Sequence, residues 1–128
     1  MKKAILILAA VGLLLLCACD SASEYESYQA ILDDYTAQMQ EAVPGLIDEY
    51  NAEAAENTEG VAGLAVILNK EVTKLARICN DGTEELAKFY YSHGSGEYDE
   101  YEDWAGKMYD AYLDAAGDIQ VVYMNSAM

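Results

Sequence analysis

Few side chains in this 128-residue sequence could perform covalent or metal chemistry. The sequence contains three cysteines and a single histidine, His93. A zinc site needs a set of Cys or His ligands, and a hydrolytic triad needs a histidine placed between a nucleophile and an acid. No Glu stands three residues before His93, so the pattern of a carboxylate-bridged di-metal bundle is also missing. We therefore predict a protein that is not an enzyme and that binds no metal or cofactor.

Aspartates recur every four residues near the C-terminal end of the sequence: Asp110, Asp114 and Asp118. On a helix they form one column, in which like charges repel unless a cation or a basic partner lies across them. Calcium sites of the EF-hand type use a wrapping loop of oxygen ligands, and no such loop spacing surrounds these residues. The column therefore favours an acidic interaction surface over a specific calcium site.

The first eighteen residues have the pattern of an export signal. Lys2 and Lys3 follow Met1, and residues 4–16 carry no charge. A helix of that apolar length spans roughly 20 Å, which is shorter than the ~30 Å hydrocarbon core of a bilayer. The segment therefore predicts a cleaved secretory signal rather than a stable membrane span.

The apolar run ends in the residues Leu16-Cys17-Ala18-Cys19. This order of leucine, a tolerant position, a small residue and cysteine resembles the lipobox of bacterial lipoproteins. Cys17 could be the modified residue only with Leu16 at the small-residue position, so Cys19 is the better match. The resemblance implies cleavage between Ala18 and Cys19 and a diacylglycerol thioether on Cys19. Because each buried methylene contributes about 0.8 kcal/mol, such acyl chains would hold the protein on the extracytoplasmic face of the cell membrane.

Hydrophobic periodicity predicts an all-α fold for the rest of the chain. Apolar residues recur at alternating steps of three and four across the ranges 24–56, 59–93 and 97–123. Helices with such stripes pack side by side at shallow angles. We predict an elongated three-helix bundle with up-down-up topology. The first stripe keeps its phase across Pro44, so we expect a kink there rather than a chain reversal, and Gly82 is a second weak point.

Three segments follow from these patterns. Residues 1–18 form the signal peptide, residues 19–23 the lipidated cysteine and a short linker, and residues 24–128 the acidic helical domain. Local signals also mark the helix ends.

Ser23 and Glu26 match a capping box at the start of the first helix. Thr58 could cap the second helix, and Gly94 suits a left-handed cap at its end.

Aromatic residues divide between the stripes and the surface. Five tyrosines lie on the stripes, where we expect them to fill the core: Tyr28, Tyr35, Tyr98, Tyr101 and Tyr112. Cys79 lies on the second stripe, and we expect it to be a buried, unreactive thiol. Three further aromatic residues lie off or beside the stripes, and we expect them to be exposed on the interaction surface: Tyr90, Tyr91 and Trp104.

Charge is divided unequally among the predicted helices. The net charge is −11 over residues 20–59, zero over 60–93 and −7 over 94–128. The middle segment has four of the five bases that lie outside the signal, and in a bundle it touches both acidic helices. Lys70 and Lys74 are four residues apart, so we expect both to pair with acids of another helix.

The charge also bears on the partners. A net charge of −16 excludes nucleic-acid binding, which needs a basic surface. We predict a lipid-anchored protein that presents an acidic helical surface to a protein partner. Two alternatives remain open: capture of cationic ligands, such as basic peptides or toxins in an immunity role, and association of bundles into dimers through exposed aromatic residues.

We expect the Cys19→Ser substitution to release the protein from the membrane fraction, because the acyl chains have no other attachment point. Cell fractionation with immunoblotting measures this, and Cys17→Ser is the matched control that should stay with the membrane. Membrane retention of the Cys19→Ser protein would contradict the lipobox interpretation.

Overall fold

The computed structural model describes residues 25–93 and 97–128, and this part of the chain is folded into three α-helices. They are α1 (Tyr28–Ala55), α2 (Gly60–His93) and α3 (Tyr98–Ala127). Each helix packs against the other two, and the described residues contain no strand. The predicted all-α three-helix bundle is therefore confirmed. None of the three helices combines the length and apolar character needed to cross a membrane.

Contacts between the helices establish the up-down-up topology. The Tyr28 ring at the start of α1 lies 4.6 Å from the Phe89 ring at the end of α2, measured between centroids. It also lies 6.0 Å from the Trp104 ring near the start of α3. At the opposite end of the bundle, Tyr50 of α1 shares a 2.6 Å hydrogen bond with Ser126 of α3. Thus α1 and α3 run parallel to each other and antiparallel to α2.

The start of α1 lies four residues after its predicted position. The Ser27 hydroxyl accepts a 3.1 Å hydrogen bond from the Ala30 amide and so caps the helix. Residues 25–27 are not helical. The predicted start at residue 24 is therefore wrong, and the Ser23 partner of the predicted capping box lies outside the described residues.

The start of α2 is fixed by Asn57 rather than by Thr58. The Asn57 Oδ1 atom accepts a hydrogen bond from the Glu59 amide at 3.1 Å, and its Nδ2 atom donates to the Gly60 carbonyl at 2.8 Å. Gly60 has a φ of +68°, a conformation that glycine adopts without strain. The expectation for Thr58 is corrected, and Gly94 lies outside the described residues.

Neither of the two expected weak points interrupts a helix. α1 is continuous through Pro44, whose side chain is exposed, and α2 is continuous through Gly82.

The core lies where the three apolar stripes meet. Its fully buried aliphatic and sulfur side chains come from all three helices: Ile31, Met39, Leu75, Leu86, Met108 and Ile119. Cys79 is also buried, as predicted, and burial raises the pKa of its thiol. Val61 and Tyr98, at the ends of their stripes, are instead more than half exposed. The bundle is therefore packed along its middle and opens at its ends.

Gly82 lies where α2 passes closest to its neighbours. A Cβ atom at this position would lie 2.8 Å from the Met108 Cε atom of α3 and 2.8 Å from the Tyr35 Cγ atom of α1. Because Tyr35 Cγ lies at the base of a large ring, that contact is relieved only by a new Tyr35 rotamer or by a shift of the helix. The close approach of the three helices therefore depends on glycine at this position.

We expect Gly82→Ala to lower the free energy of unfolding by about 1–3 kcal/mol, because the new methyl group overpacks the core. The matched control is Gly106→Ala in α3, where a Cβ atom would meet nothing within 4 Å. That control should raise the stability by up to about 1 kcal/mol, since alanine favours the helix over glycine. Urea unfolding followed by circular dichroism measures both. An equal gain for the two variants would contradict the packing at Gly82.

Candidate functional site

An ion-pair ladder joins α1 and α2. The Lys70 Nζ atom lies 2.5 Å from Glu53 Oε1, and Lys74 pairs with Glu49 one turn away. The prediction that these two lysines pair with acids of another helix is confirmed. The middle helix touches both acidic neighbours, as predicted, but within the described residues no ion pair joins α2 to α3.

Glu71 lies beneath this ladder and was not singled out by its sequence position. Its side chain has no exposed surface, and its nearest basic atom is Lys74 Nζ at 3.5 Å. Neither carboxyl oxygen has a hydrogen-bond partner among the described residues. Burial raises the pKa of Glu71, and its interaction with the neighbouring Glu49 carboxylate raises it further. The hydrogen bond from Lys74 lowers the pKa of Glu49. Glu71 therefore binds a proton more tightly than an ordinary glutamate does, and Glu49 binds one less tightly.

A cavity of about 370 Å³ opens at the end of the bundle where α1 begins. It is referred to below as the aromatic cavity, and its aromatic lining comes from all three helices: Tyr28, Phe89, Tyr90, His93 and Trp104. Two carboxylates, Glu26 and Glu100, also line it, and no Lys or Arg of the described residues does. Its lining is therefore both aromatic and negatively charged.

Ring contacts hold this lining in place. The Tyr28 and Trp104 rings are nearly parallel, at 19°. The His93 ring stacks on Phe89 with 4.0 Å between centroids, and His93 Nδ1 lies 3.2 Å from the Phe89 carbonyl oxygen. Burial, followed by the negative charge of Glu100, raises the pKa of the Tyr28 hydroxyl. Glu100 is therefore close enough to act electrostatically inside the cavity.

Trp104 already attracts one cation. The Lys107 Nζ atom lies 4.0 Å from the centre of its ring, a distance typical of a cation–π contact. Lys107 does not line the aromatic cavity.

The outward side of α3 carries a second feature. Four large apolar side chains are about half exposed there and form what we call the outer stripe: Tyr109, Leu113, Val121 and Met124. Their steps of four, eight and three residues place them along one side of the helix, with Gly117 between the second and the third. Since apolar side chains of this size are usually buried, a contiguous stripe of them indicates a docking surface.

The predicted acidic column lies beside the outer stripe. Asp110 and Asp114 each follow a residue of the outer stripe, Asp118 follows Gly117, and all three are exposed. All eight acids between residues 97 and 118 are exposed, and none forms an ion pair with another described residue. No group of three Asp, Glu, His or Cys residues in residues 25–93 and 97–128 is placed to hold a metal ion. The outer face of α3 therefore carries a line of apolar side chains. Next to it runs a line of acids that form no ion pair with another described residue.

The three predicted surface aromatics differ in their positions. Tyr91 is 79% exposed, as expected. Tyr90 and Trp104 are partly buried against the core, so the expectation of exposure is wrong for these two. Trp104 packs against Tyr28, with 6.0 Å between the ring centroids. Tyr90 packs against Tyr101, with 5.7 Å between the ring centroids.

Several predicted residues are not brought together with this site. Ala18 and Cys19 lie outside the described residues. The outer stripe and Glu100 were missed by the sequence reasoning, although the spacing of the stripe was visible beside the core stripe of the same helix.

No protein-family model, curated protein or solved structure matches this chain. The function of the site is therefore inferred from the geometry of this chain.

We expect Glu71→Gln to raise the free energy of unfolding at pH 7 by about 1 kcal/mol, because it removes a buried carboxylate without hydrogen-bond partners. The folded-state pKa of Glu71 is raised, so its contribution to stability is complete below the unfolded value and is lost as the pH rises through the folded value. The advantage of the variant should therefore shrink toward pH 4.

Urea unfolding at pH 4 and pH 7 measures this difference, with the exposed Glu84→Gln as the control on the same helix. A variant that is less stable than the parent at pH 7, or equally improved at both pH values, would show that the buried charge of Glu71 does not destabilise the fold.

Proposed function

We propose that this chain is a lipid-anchored protein of the extracytoplasmic membrane face that captures cationic, amphipathic helical peptides or protein segments on the outer face of α3. The anchor is inferred from the resemblance of Leu16-Cys17-Ala18-Cys19 to a lipobox. The capture role is supported by one observation above all: an exposed apolar stripe runs beside a column of unpaired acids on the same helix.

The outer stripe and the acids beside it together define the chemistry of the partner. An apolar stripe recognises an amphipathic helix through side chains spaced at three and four residues. The acids beside it favour Lys or Arg on the flank of that helix and repel an acidic one. A second copy of α3 fits poorly, because its own aspartate column would meet Asp110, Asp114 and Asp118. A basic amphipathic helix satisfies both requirements.

The distribution of the bases strengthens this inference. Lys70 and Lys74 are committed to Glu53 and Glu49 of α1. Lys107, the base of α3, lies over the Trp104 ring. The charge of the α3 acids is therefore left for an external partner, and it would also speed the encounter with a cationic one.

The proposal does not include catalysis. The Cys79 thiol is buried, with a pKa raised by that burial, and it donates to the Met108 carbonyl at 3.8 Å. His93 Nδ1 lies within hydrogen-bond distance of Ser92 and of the Phe89 carbonyl, and no acid of the described residues orients the ring.

A titration of the full chain, in non-ionic detergent, with a basic amphipathic helical peptide tests the proposal. Asp110→Asn, Asp114→Asn and Asp118→Asn combined should weaken binding about tenfold, since exposed ion pairs contribute ~0.2–1 kcal/mol each. Isothermal titration calorimetry at low and high salt measures the loss, which should be smaller at high salt.

The matched control instead removes three exposed acids from α1 and its C-terminal cap: Glu41→Gln, Asp48→Asn and Glu56→Gln. It should leave the affinity within about twofold of the parent, and a scrambled peptide of the same composition should bind at least about tenfold more weakly. Equal losses in the two triple variants, or equal binding of the scrambled peptide, would refute docking on α3.

A further inference from the structure

We propose that the aromatic cavity is a separate binding site for a guanidinium group, such as the side chain of an arginine. The site is distinct from the outer face of α3 and does not depend on the capture role proposed above. The observation that supports this site is a cavity lined by aromatic rings, in which the charged side chains are carboxylates.

The size and charge of the cavity select a small organic cation. Its volume of about 370 Å³ lies within the range of small-ligand pockets. Glu26 and Glu100 supply negative charge, and the described residues contribute no Lys or Arg to the lining. An anionic ligand would meet repulsion from both carboxylates, and a neutral one would gain nothing from their charge.

The rings favour a planar cation over a point charge. The Tyr28 and Trp104 rings stack on each other at one wall of the cavity, 19° apart with 6.0 Å between centroids, and Phe89, Tyr90 and His93 add further rings to the lining. A guanidinium group is flat and weakly hydrated, and it can stack on an aromatic face while its N–H groups donate in a fork to one carboxylate. An ammonium group gains the cation–π attraction but offers neither the stacking nor the fork. Glu100 lines the cavity together with Tyr28 and Trp104, and it is the carboxylate to which we assign that fork.

Lys107 gives an internal check on this electrostatic argument. Its ammonium group lies 4.0 Å from the centre of the Trp104 ring, so the ring attracts cations in this setting. The same positive charge would oppose a second cation in the cavity. Removal of the Lys107 charge should therefore strengthen binding rather than weaken it.

Trp104 makes the test direct because it is the single tryptophan of the chain. The full chain in non-ionic detergent is titrated with N-acetyl-arginine amide, N-acetyl-lysine amide and N-acetyl-citrulline amide, and Trp104 emission is recorded. The arginine probe should change the emission in a saturable way, the lysine probe should bind at least about fivefold more weakly, and the neutral citrulline probe should give no saturable change.

Variants assign the site. Glu100→Gln should weaken binding of the arginine probe about tenfold, and Lys107→Gln should strengthen it about twofold. Asp48→Asn, an exposed acid of α1 twenty residues after Tyr28, should leave the affinity unchanged. Circular dichroism checks that each variant is folded.

Equal binding of the arginine and lysine probes would overturn the guanidinium assignment. Binding unaffected by Glu100→Gln, or no saturable response to any probe, would overturn the site itself. Neither result would touch the α3 docking surface, because that surface is tested by different residues and by a helical peptide.

Discussion

The commitment of Lys70 and Lys74 of α2 to acids of α1 is the interaction on which the surface properties of this protein depend. Glu49 and Glu53 of α1 lie one turn apart, as do Lys70 and Lys74 of α2, and the antiparallel packing brings the two pairs into register. Each exposed pair stabilises the bundle only slightly. Their larger consequence is that the acids of α3, which has a single base, form no ion pair with any described residue.

The surface of the bundle follows from that division. Along α3 the unpaired acids lie beside an outer stripe of half-exposed apolar side chains, a combination suited to a basic amphipathic helix. At the end of the bundle where α1 begins, Glu100 and Glu26 lie in an aromatic lining, and this is the site proposed for a small cation. The proposed lipid on Cys19 would hold the aromatic cavity near the membrane surface, because the eight residue-to-residue steps from Cys19 to Ser27 can span at most about 28 Å.

Much of the fold could be predicted from the sequence because helical periodicity is strong over most of each helix. The stripes located Met39, Leu75 and Met108 in the core correctly. The helix ends were less predictable, since Ser27 and Asn57 were two of several residues able to cap. The burial of Glu71 had no sequence signal, because only the relative rotation of α1 and α2 places its carboxyl group inside the interface. The aromatic cavity was missed for a similar reason: Tyr28, Phe89 and Trp104 meet only through tertiary packing.

A double-mutant cycle on Lys70 and Glu53 tests the division of charge most directly. Lys70→Met and Glu53→Gln are made singly and together, and the free energy of unfolding is measured by urea denaturation at low salt. The account predicts a favourable coupling of about 0.2–1 kcal/mol for this pair, and none for Lys70 with Asp118 of α3. A coupling between Lys70 and Asp118 as large as that with Glu53 would show that α2 neutralises α3 as well, and would contradict the account.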